Sequence, residues 1–317
     1  MRKWNDEQMK SMTNEQRYTY DWRPEWADDD TKPILKITKS SLLKFKRCPQ
    51  DYYYCYPMRL PQDQNEAMIK GTTIHNAYED FFDEVDIKKM ETMNRAELID
   101  YCSSHYPVDD YEDQYRTLAV FEADRFLAAK ETNTIVNYLP AGNEIQIDTE
   151  IIVPAGINPK YPTSRPYWVH LQGIIDRLFI EDGSYIPVEL KTGAWKDSKK
   201  TDMRLEMAFY KFLLDEATDE ELMYNPVSER GNKQELNLQR LPVTHWAWHY
   251  TGSNNFLHEE VKSRSTTAVW HWIGRLLWAY ENNEFDGAYH QMKCKFCSFT
   301  GRCPSAMGSG EYVGEWF

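Results

Sequence analysis

Three side chains, Asp176, Glu189 and Lys191, are of the types and spacing that could hydrolyse a phosphodiester. They lie in two runs rich in β-formers that flank Asp182-Gly183, a strong signal for a two-residue hairpin. With those two residues as the loop, Glu181 pairs with Ser184, Ile180 with Tyr185, and Asp176 falls opposite Glu189. Opposed residues share a face, with Cβ atoms about 4.5–5.5 Å apart. Lys191, two residues past Glu189, emerges on that face. Like charges in that position repel. Their neighbours Ile174, Ile175, Leu178, Val188 and Leu190 are apolar, so the pattern predicts a sheet covered on both sides, where an unpaired carboxylate is costly. A divalent cation resolves the conflict, because two carboxylates and a backbone carbonyl make a hard oxygen site. A lysine beside it can orient or deprotonate a water that attacks phosphorus. The alternative is a solvated polar face on which Lys191 neutralises one carboxylate.

The elements around these residues follow from periodicity. Residues 1–33 are polar and acidic and read as a leader. Thr38 before an apolar-periodic run marks a helix start, and Pro49 opens a further helix through Tyr56. Gly71 to Phe82 reads as a helix with His75 and Glu79 on one face. Residues 86–135 read as an acidic helical insertion, with Met90, Met93, Leu98, Leu118, Phe121, Phe126 and Leu127 as core candidates. Glu144 to Val153 alternates as a strand with Glu150 near its end. Asp202 to Glu216 reads as an amphipathic helix, 218–240 as a polar loop, Pro242 to Tyr250 as a strand and Ser265 to Glu281 as a helix.

Charge is distributed unevenly. The 317-residue chain has a net charge of −13, yet Lys36–Arg47 holds 5 bases and no acid. Lys191–Arg204 holds 5 bases and 2 acids, whereas Tyr78–Asp124 holds 14 acids and 4 bases. Two basic segments flanking the proposed site can track a phosphate backbone even on an acidic protein. No run is long and apolar enough for a membrane span, and the first residues carry no apolar signal core. The expectation is a cytoplasmic protein. No G-x-x-x-x-G-K-[ST] loop occurs, so a helicase motor of that type would be a separate partner.

Of six cysteines, Cys294, Cys297 and Cys303 form C-x-x-C-x5-C followed by Pro304. In a cytoplasmic chain of this size metal binding is favoured over disulfides. Three thiolates leave a four-coordinate site open, and the other cysteine followed by proline is Cys48. Iron–sulfur and zinc are both chemically open to such a set. Cys55 and Cys102 fit no pattern.

The string G-x-x-D (Gly173, Asp176) followed by E-x-K-T-G (Glu189 to Gly193) resembles the signature of the PD-(D/E)xK nuclease superfamily. Its Lys-Thr-Gly ending, with G-x-x-x-H-x-x-x-E at Gly71, His75 and Glu79, resembles the RecB-like branch. An early cysteine with a late C-x-x-C-x5-C resembles that branch's iron–sulfur exonucleases, among them the AddB nuclease domain and the fourth CRISPR-associated protein. The resemblance implies a restriction-endonuclease-like α/β core with a mixed central sheet flanked by helices. It implies one nuclease domain over 34–317, with the insertion at 86–135 and a cluster module made by Cys48 and 290–304. It implies Mg²⁺ or Mn²⁺ held by His75, Asp176, Glu189 and the carbonyl of Leu190, with Lys191 positioning water and Tyr210 lining the DNA path. It implies a 4Fe–4S cluster on Cys48, Cys294, Cys297 and Cys303, with structural Zn²⁺ as the alternative. Where the family usually carries Q-x-x-x-Y, this chain has Glu206 and Tyr210. The activity implied is exonucleolytic cleavage at DNA ends, favouring single strands, in viral or host replication, recombination or repair. A CRISPR-adaptation nuclease and a non-catalytic DNA-binding iron–sulfur module are the rival readings.

Overall fold

The computed structural model describes residues 34–62, 66–223, 238–262 and 264–307. In chain order its regular elements are β1 (Leu35–Thr38), α1 (Lys39–Arg47), α2 (Pro49–Cys55), α3 (Glu66–Glu84), α4 (Ile87–Met90), α5 (Arg95–Ser103) and α6 (Glu112–Glu131). Then come β2 (Gly142–Val153), β3 (Tyr167–Glu181), β4 (Ser184–Lys191), α7 (Lys200–Glu216), α8 (Asp219–Met223), β5 (His245–Tyr250), β6 (Asn255–Glu260), α9 (Ser265–Asn282), α10 (Gln291–Lys295) and α11 (Pro304–Met307). The six-stranded sheet runs β1-β3-β4-β5-β6, with β2 pairing β3 off that path. It is mixed: β3–β4 and β5–β6 are antiparallel and β4–β5 is parallel. This α/β arrangement of a mixed central sheet with flanking helices fits a restriction-endonuclease-like core.

The described residues divide into two compact units, the first from 34–62, 150–171 and 266–307 and the second from 66–149, 172–223, 238–262 and 264–265. In the second unit the hairpin turns as its sequence requires. Asp182 and Gly183 both have positive φ (48° and 71°), the geometry of a type I′ loop. The ladder runs from Glu181↔Ser184 to Arg177↔Val188 in the expected register. It stops one residue short of Asp176, whose carboxylate instead accepts the N–H of Leu190 at 2.7 Å. Every residue of β4 except Lys191 is buried, as expected of a central strand. Ile174 departs from the expected covering and is 41% exposed.

The insertion is helical as expected and shares one core with α3. Met90, Leu98, Cys102, Leu118 and Phe126 pack with Ile74, Tyr78, Phe81 and Leu190. A buried guanidinium fastens this assembly to the sheet. Arg177 donates to Glu122 Oε1 at 2.7 Å, to the carbonyl of Tyr78 at 2.7 Å and to Asn143 Oδ1 at 3.0 Å. It also lies 3.4 Å from the centre of the Tyr78 ring. Arg177 and Glu122 are both fully buried, and such a pair is tolerated only because each charge is paired.

In the first unit, Thr38 caps α1 in a reciprocal box with Ser41, and Pro49 opens α2 as its sequence predicts. Tyr52, Tyr53 and Tyr54 are almost wholly buried, so they are packing residues. The short strands β1 and β6 carry no sequence signal strong enough to have been read. The expected leader 1–33 lies outside the described residues.

Candidate active site

All the residues expected at the catalytic centre lie in the second unit. His75 comes from α3, Asp176 from β3, Glu189, Leu190 and Lys191 from β4, and Tyr210 from α7. His75 Nδ1 stands 3.6 Å from Asp176 Oδ2 and 3.9 Å from Glu144 Oε1. These three residues offer ligand atoms all within 4.8 Å of one another, a spacing that suits one metal ion. Glu144 is the residue that the sequence reading missed. The carboxylate weighed on this strand, Glu150, is exposed. Glu144 instead sits near the start of β2 with φ of 46°, a left-handed conformation that a non-glycine residue holds only at a cost. Its signal in sequence was only a polar pair, Asn143-Glu144, entering the strand before G-x-x-D.

Glu189 is 2% exposed and both of its oxygens are engaged. Oε1 accepts from Lys191 Nζ at 2.6 Å and Oε2 from the Tyr210 hydroxyl at 2.5 Å. Lys191 Nζ also donates to Glu206 Oε1 at 2.9 Å. The glutamate that replaces the family's glutamine is therefore the second anchor of the lysine, and α7 supplies both Glu206 and Tyr210 one turn apart. Tyr210 is fully buried against Glu189 rather than lining an open path.

The charges are set by this crowding of carboxylates. Burial alone would lower the His75 pKa, but Asp176, Glu144 and Glu189 outweigh it and raise it to about 9. Burial would likewise discharge Lys191, yet Glu189 and Glu206 hold its ammonium above the usual lysine range. Burial, then the Glu189 and Asp176 charges, push the Tyr210 hydroxyl well up, so it stays a donor. Two carboxylates, Asp176 and Glu144, about one imidazole, with Glu189 and a charged lysine alongside, would suit a hard divalent cation. The ion would displace the proton from His75.

Two glycines allow the close approach. A Cβ on Gly173 would collide with Leu213 Cδ1 of α7 and lie 3.7 Å from the Tyr210 ring. A Cβ on Gly252 would lie 2.8 Å from the carbonyl oxygen of Thr192.

In the first unit, Cys48, Cys294, Cys297 and Cys303 line one cavity, which Gly287, Gln50 and Phe299 help enclose. A Cβ on Gly287 would sit 3.1 Å from Cys48 Sγ. Backbone N–H groups point at the sulfurs: from Asp51 and Gln50 to Cys48, from His290 to Cys294, from Phe299 to Cys297, and from Ala306 and Ser305 to Cys303. Burial still raises the Cys48 and Cys303 thiols and pushes Cys297 to about 11. Among the described residues no three cysteine thiols lie mutually within 4.8 Å. Cys55 and Cys102 do not line this cavity.

The family model for the PD-(D/E)XK nuclease superfamily matches residues 36–304, and the chain belongs to that superfamily. It is thus a metal-dependent nuclease by family, and such enzymes act on DNA with divalent ions such as Mg²⁺ or Mn²⁺. No curated protein matches the chain. Among solved structures it is similar to the one described as "Crystal structure of SSO0001", at 13% identity over 76% of this chain and 99% of that one. The TM-score of 0.33 gives that likeness no weight. Among the described residues no helix is long and apolar enough to cross a membrane.

Proposed function

We propose that this protein is a metal-dependent DNA exonuclease that hydrolyses phosphodiester bonds at free ends and favours single strands. The observation that carries the reading is the convergence of His75, Glu144 and Asp176 beside the Glu189–Lys191–Glu206 chain. His75, Asp176, Glu189 and the Leu190 carbonyl would hold Mg²⁺ or Mn²⁺, with Glu144 joining them. Such an ion, when bound, would supply Lewis-acid chemistry for phosphodiester hydrolysis. Lys191, fixed by two carboxylates, keeps a donor for a water or a phosphate oxygen. Tyr210 holds the Glu189 carboxylate in one orientation. Both units are read as parts of a single nuclease domain, since the family match spans residues of each.

The reading includes a 4Fe–4S cluster on Cys48, Cys294, Cys297 and Cys303. It is supported by the shared cavity and by an N–H donor at every sulfur, the kind of contact that tunes such clusters. A cytoplasmic location and a separate helicase partner belong to the same reading.

End-labelled single- and double-stranded DNA incubated with Mg²⁺, Mn²⁺ or EDTA tests it. Metal-dependent release of end label, faster from single strands, is the expected result. Imidazole suits Mn²⁺ better than Mg²⁺, so Mn²⁺ should give the higher rate. Binding without cleavage in either metal would favour the non-catalytic module.

A further inference from the structure

The first unit carries a charged surface that the catalytic residues do not use. Two basic segments, 246 positions apart, are joined there by reciprocal contacts. The Arg47 guanidinium donates to the carbonyl of Lys293 at 3.1 Å, and the Lys293 ammonium donates to the carbonyl of Arg47 at 3.4 Å. Both contacts use backbone oxygens, so neither cation is neutralised by the other segment. Lys46 and Arg47 end α1, and Lys293 and Lys295 lie in α10. No acid occurs between Lys36 and Arg47 or between Gly287 and Gly310, on a chain whose net charge is −13. Asp51, the acid that follows α1, is buried and paired with Lys44 at 3.5 Å.

Amid these cations stand two apolar side chains that folding leaves in water. Phe296 is 69% exposed and Met292 is 58% exposed, whereas Phe299 of the same cysteine segment is 1% exposed. The segment can bury a ring and does so at Phe299. The Lys295 ammonium lies 5.8 Å from the centre of the Phe296 ring. Cations that take phosphates, around an aromatic face that takes a base, are how proteins hold an unpaired nucleic acid strand. A duplex keeps its base faces stacked and offers nothing to the ring.

We propose that Arg47, Lys293 and Lys295, with the exposed ring of Phe296 beside Lys295, form a binding surface for a DNA single strand. The cations take successive phosphates and the ring takes one base. The inference deepens the exonuclease reading and rests on it.

The test measures binding of a fluorescein-labelled oligothymidylate to the full-length protein by anisotropy, with Mg²⁺ and Mn²⁺ withheld, over a series of KCl concentrations. Lys295→Glu should weaken binding at least tenfold and make the salt dependence shallower, by about 0.7 in log–log slope for each phosphate no longer neutralised. Phe296→Ala should weaken binding roughly 5- to 100-fold, the range of one base–aromatic stack, and leave the slope unchanged. Phe296→Trp should restore affinity. Each variant should melt at the wild-type temperature and should cleave thymidine 5′-(p-nitrophenyl phosphate), a single-phosphate substrate, at the wild-type rate when metal is supplied. Oligothymidylate affinity unchanged in both Lys295→Glu and Phe296→Ala would overturn the proposal. So would variants that lose binding only to phosphatidylserine-rich vesicles. Wild-type protein that binds through this surface but cleaves no substrate with metal would uphold the surface and overturn the nuclease reading.

Discussion

At the scale of single residues, the site is a chain of charges in which each member fixes the next. Tyr210 orients Glu189, Glu189 and Glu206 hold Lys191, and Asp176 bonds the backbone of Leu190. Lys191→Ala should lower the cleavage rate about 10²- to 10⁴-fold, the usual worth of a positioned acid–base group, while metal binding persists because lysine is not a ligand. Single-turnover rates alongside Mn²⁺ titration would check both halves. Glu206→Ala should lower the rate at least tenfold, because the ammonium loses one of its two anchors. Glu206→Gln should lose less, because an amide oxygen still accepts from Lys191. Equal losses in the two variants would remove Glu206 from the chain. Glu144 separates binding from stability: Glu144→Gly should lose metal affinity yet melt no lower than wild type, because glycine holds φ of 46° without strain. A Glu144→Gly protein with wild-type metal affinity would exclude Glu144 as a ligand.

At the scale of elements, Arg177 sets where His75 meets Asp176. It ties β3 to α3 through the Tyr78 carbonyl and to α6 through Glu122. Arg177→Met removes one of the two cations on the buried Glu122, leaving Arg125 at 2.7 Å, and takes the donor from the Tyr78 carbonyl, so it should destabilise the protein by about 1–3 kcal/mol, read as a lowered denaturant midpoint. The double variant Arg177→Met, Glu122→Leu should recover much of that stability. On β5, His249 is buried with neither ring nitrogen hydrogen-bonded, packed between Phe121 and Phe256. Burial, with Arg177 and Arg125 adding to it against Glu122, lowers its pKa to about 4. The unfolded chain therefore binds more protons than the folded one between about pH 4 and the ordinary histidine value of about 6.5. Stability contributed by neutral His249 is present above that window and is lost as pH falls through it. His249→Phe should flatten the fall in urea midpoint between about pH 6.5 and 4. An unchanged profile would show that other groups drive acid unfolding.

At the scale of the whole molecule, the proposed cluster would close a loop spanning most of the chain. Cys48 and Cys294 are separated by 294 − 48 = 246 positions, and cross-linking distant positions removes the most disorder from the unfolded state in the entropy model. Metal binding at a site that the unfolded chain lacks is itself folding free energy. Anaerobically purified protein should therefore be brown. Cys48→Ser should bleach it and lower its melting temperature, with cleavage falling as a consequence. Cys55→Ser and Cys102→Ser should keep the colour. Colourless protein with stoichiometric zinc would replace the iron, and a Cys48→Ser protein that keeps its metal would remove Cys48 from the ligand set.

The sequence by itself determined what short-range physics decides. Asp182-Gly183 fixes its own turn and hence the register, so Glu189 and Lys191 were placed on one strand face before any contact was known. Thr38, Pro49 and the periodicity of 71–82 and 265–281 mark helices because capping and amphipathic faces are local properties. Only the tertiary structure decided which distant groups meet. Glu144 carries no motif and reaches His75 through a left-handed backbone that no propensity predicts. Glu206 looked like a mismatch until α7 laid it against Lys191. Arg177, beside Asp176 in sequence, gave no sign of the buried ion pair with Glu122, because a partner 55 residues away is chosen by packing and by the cost of leaving a buried charge alone.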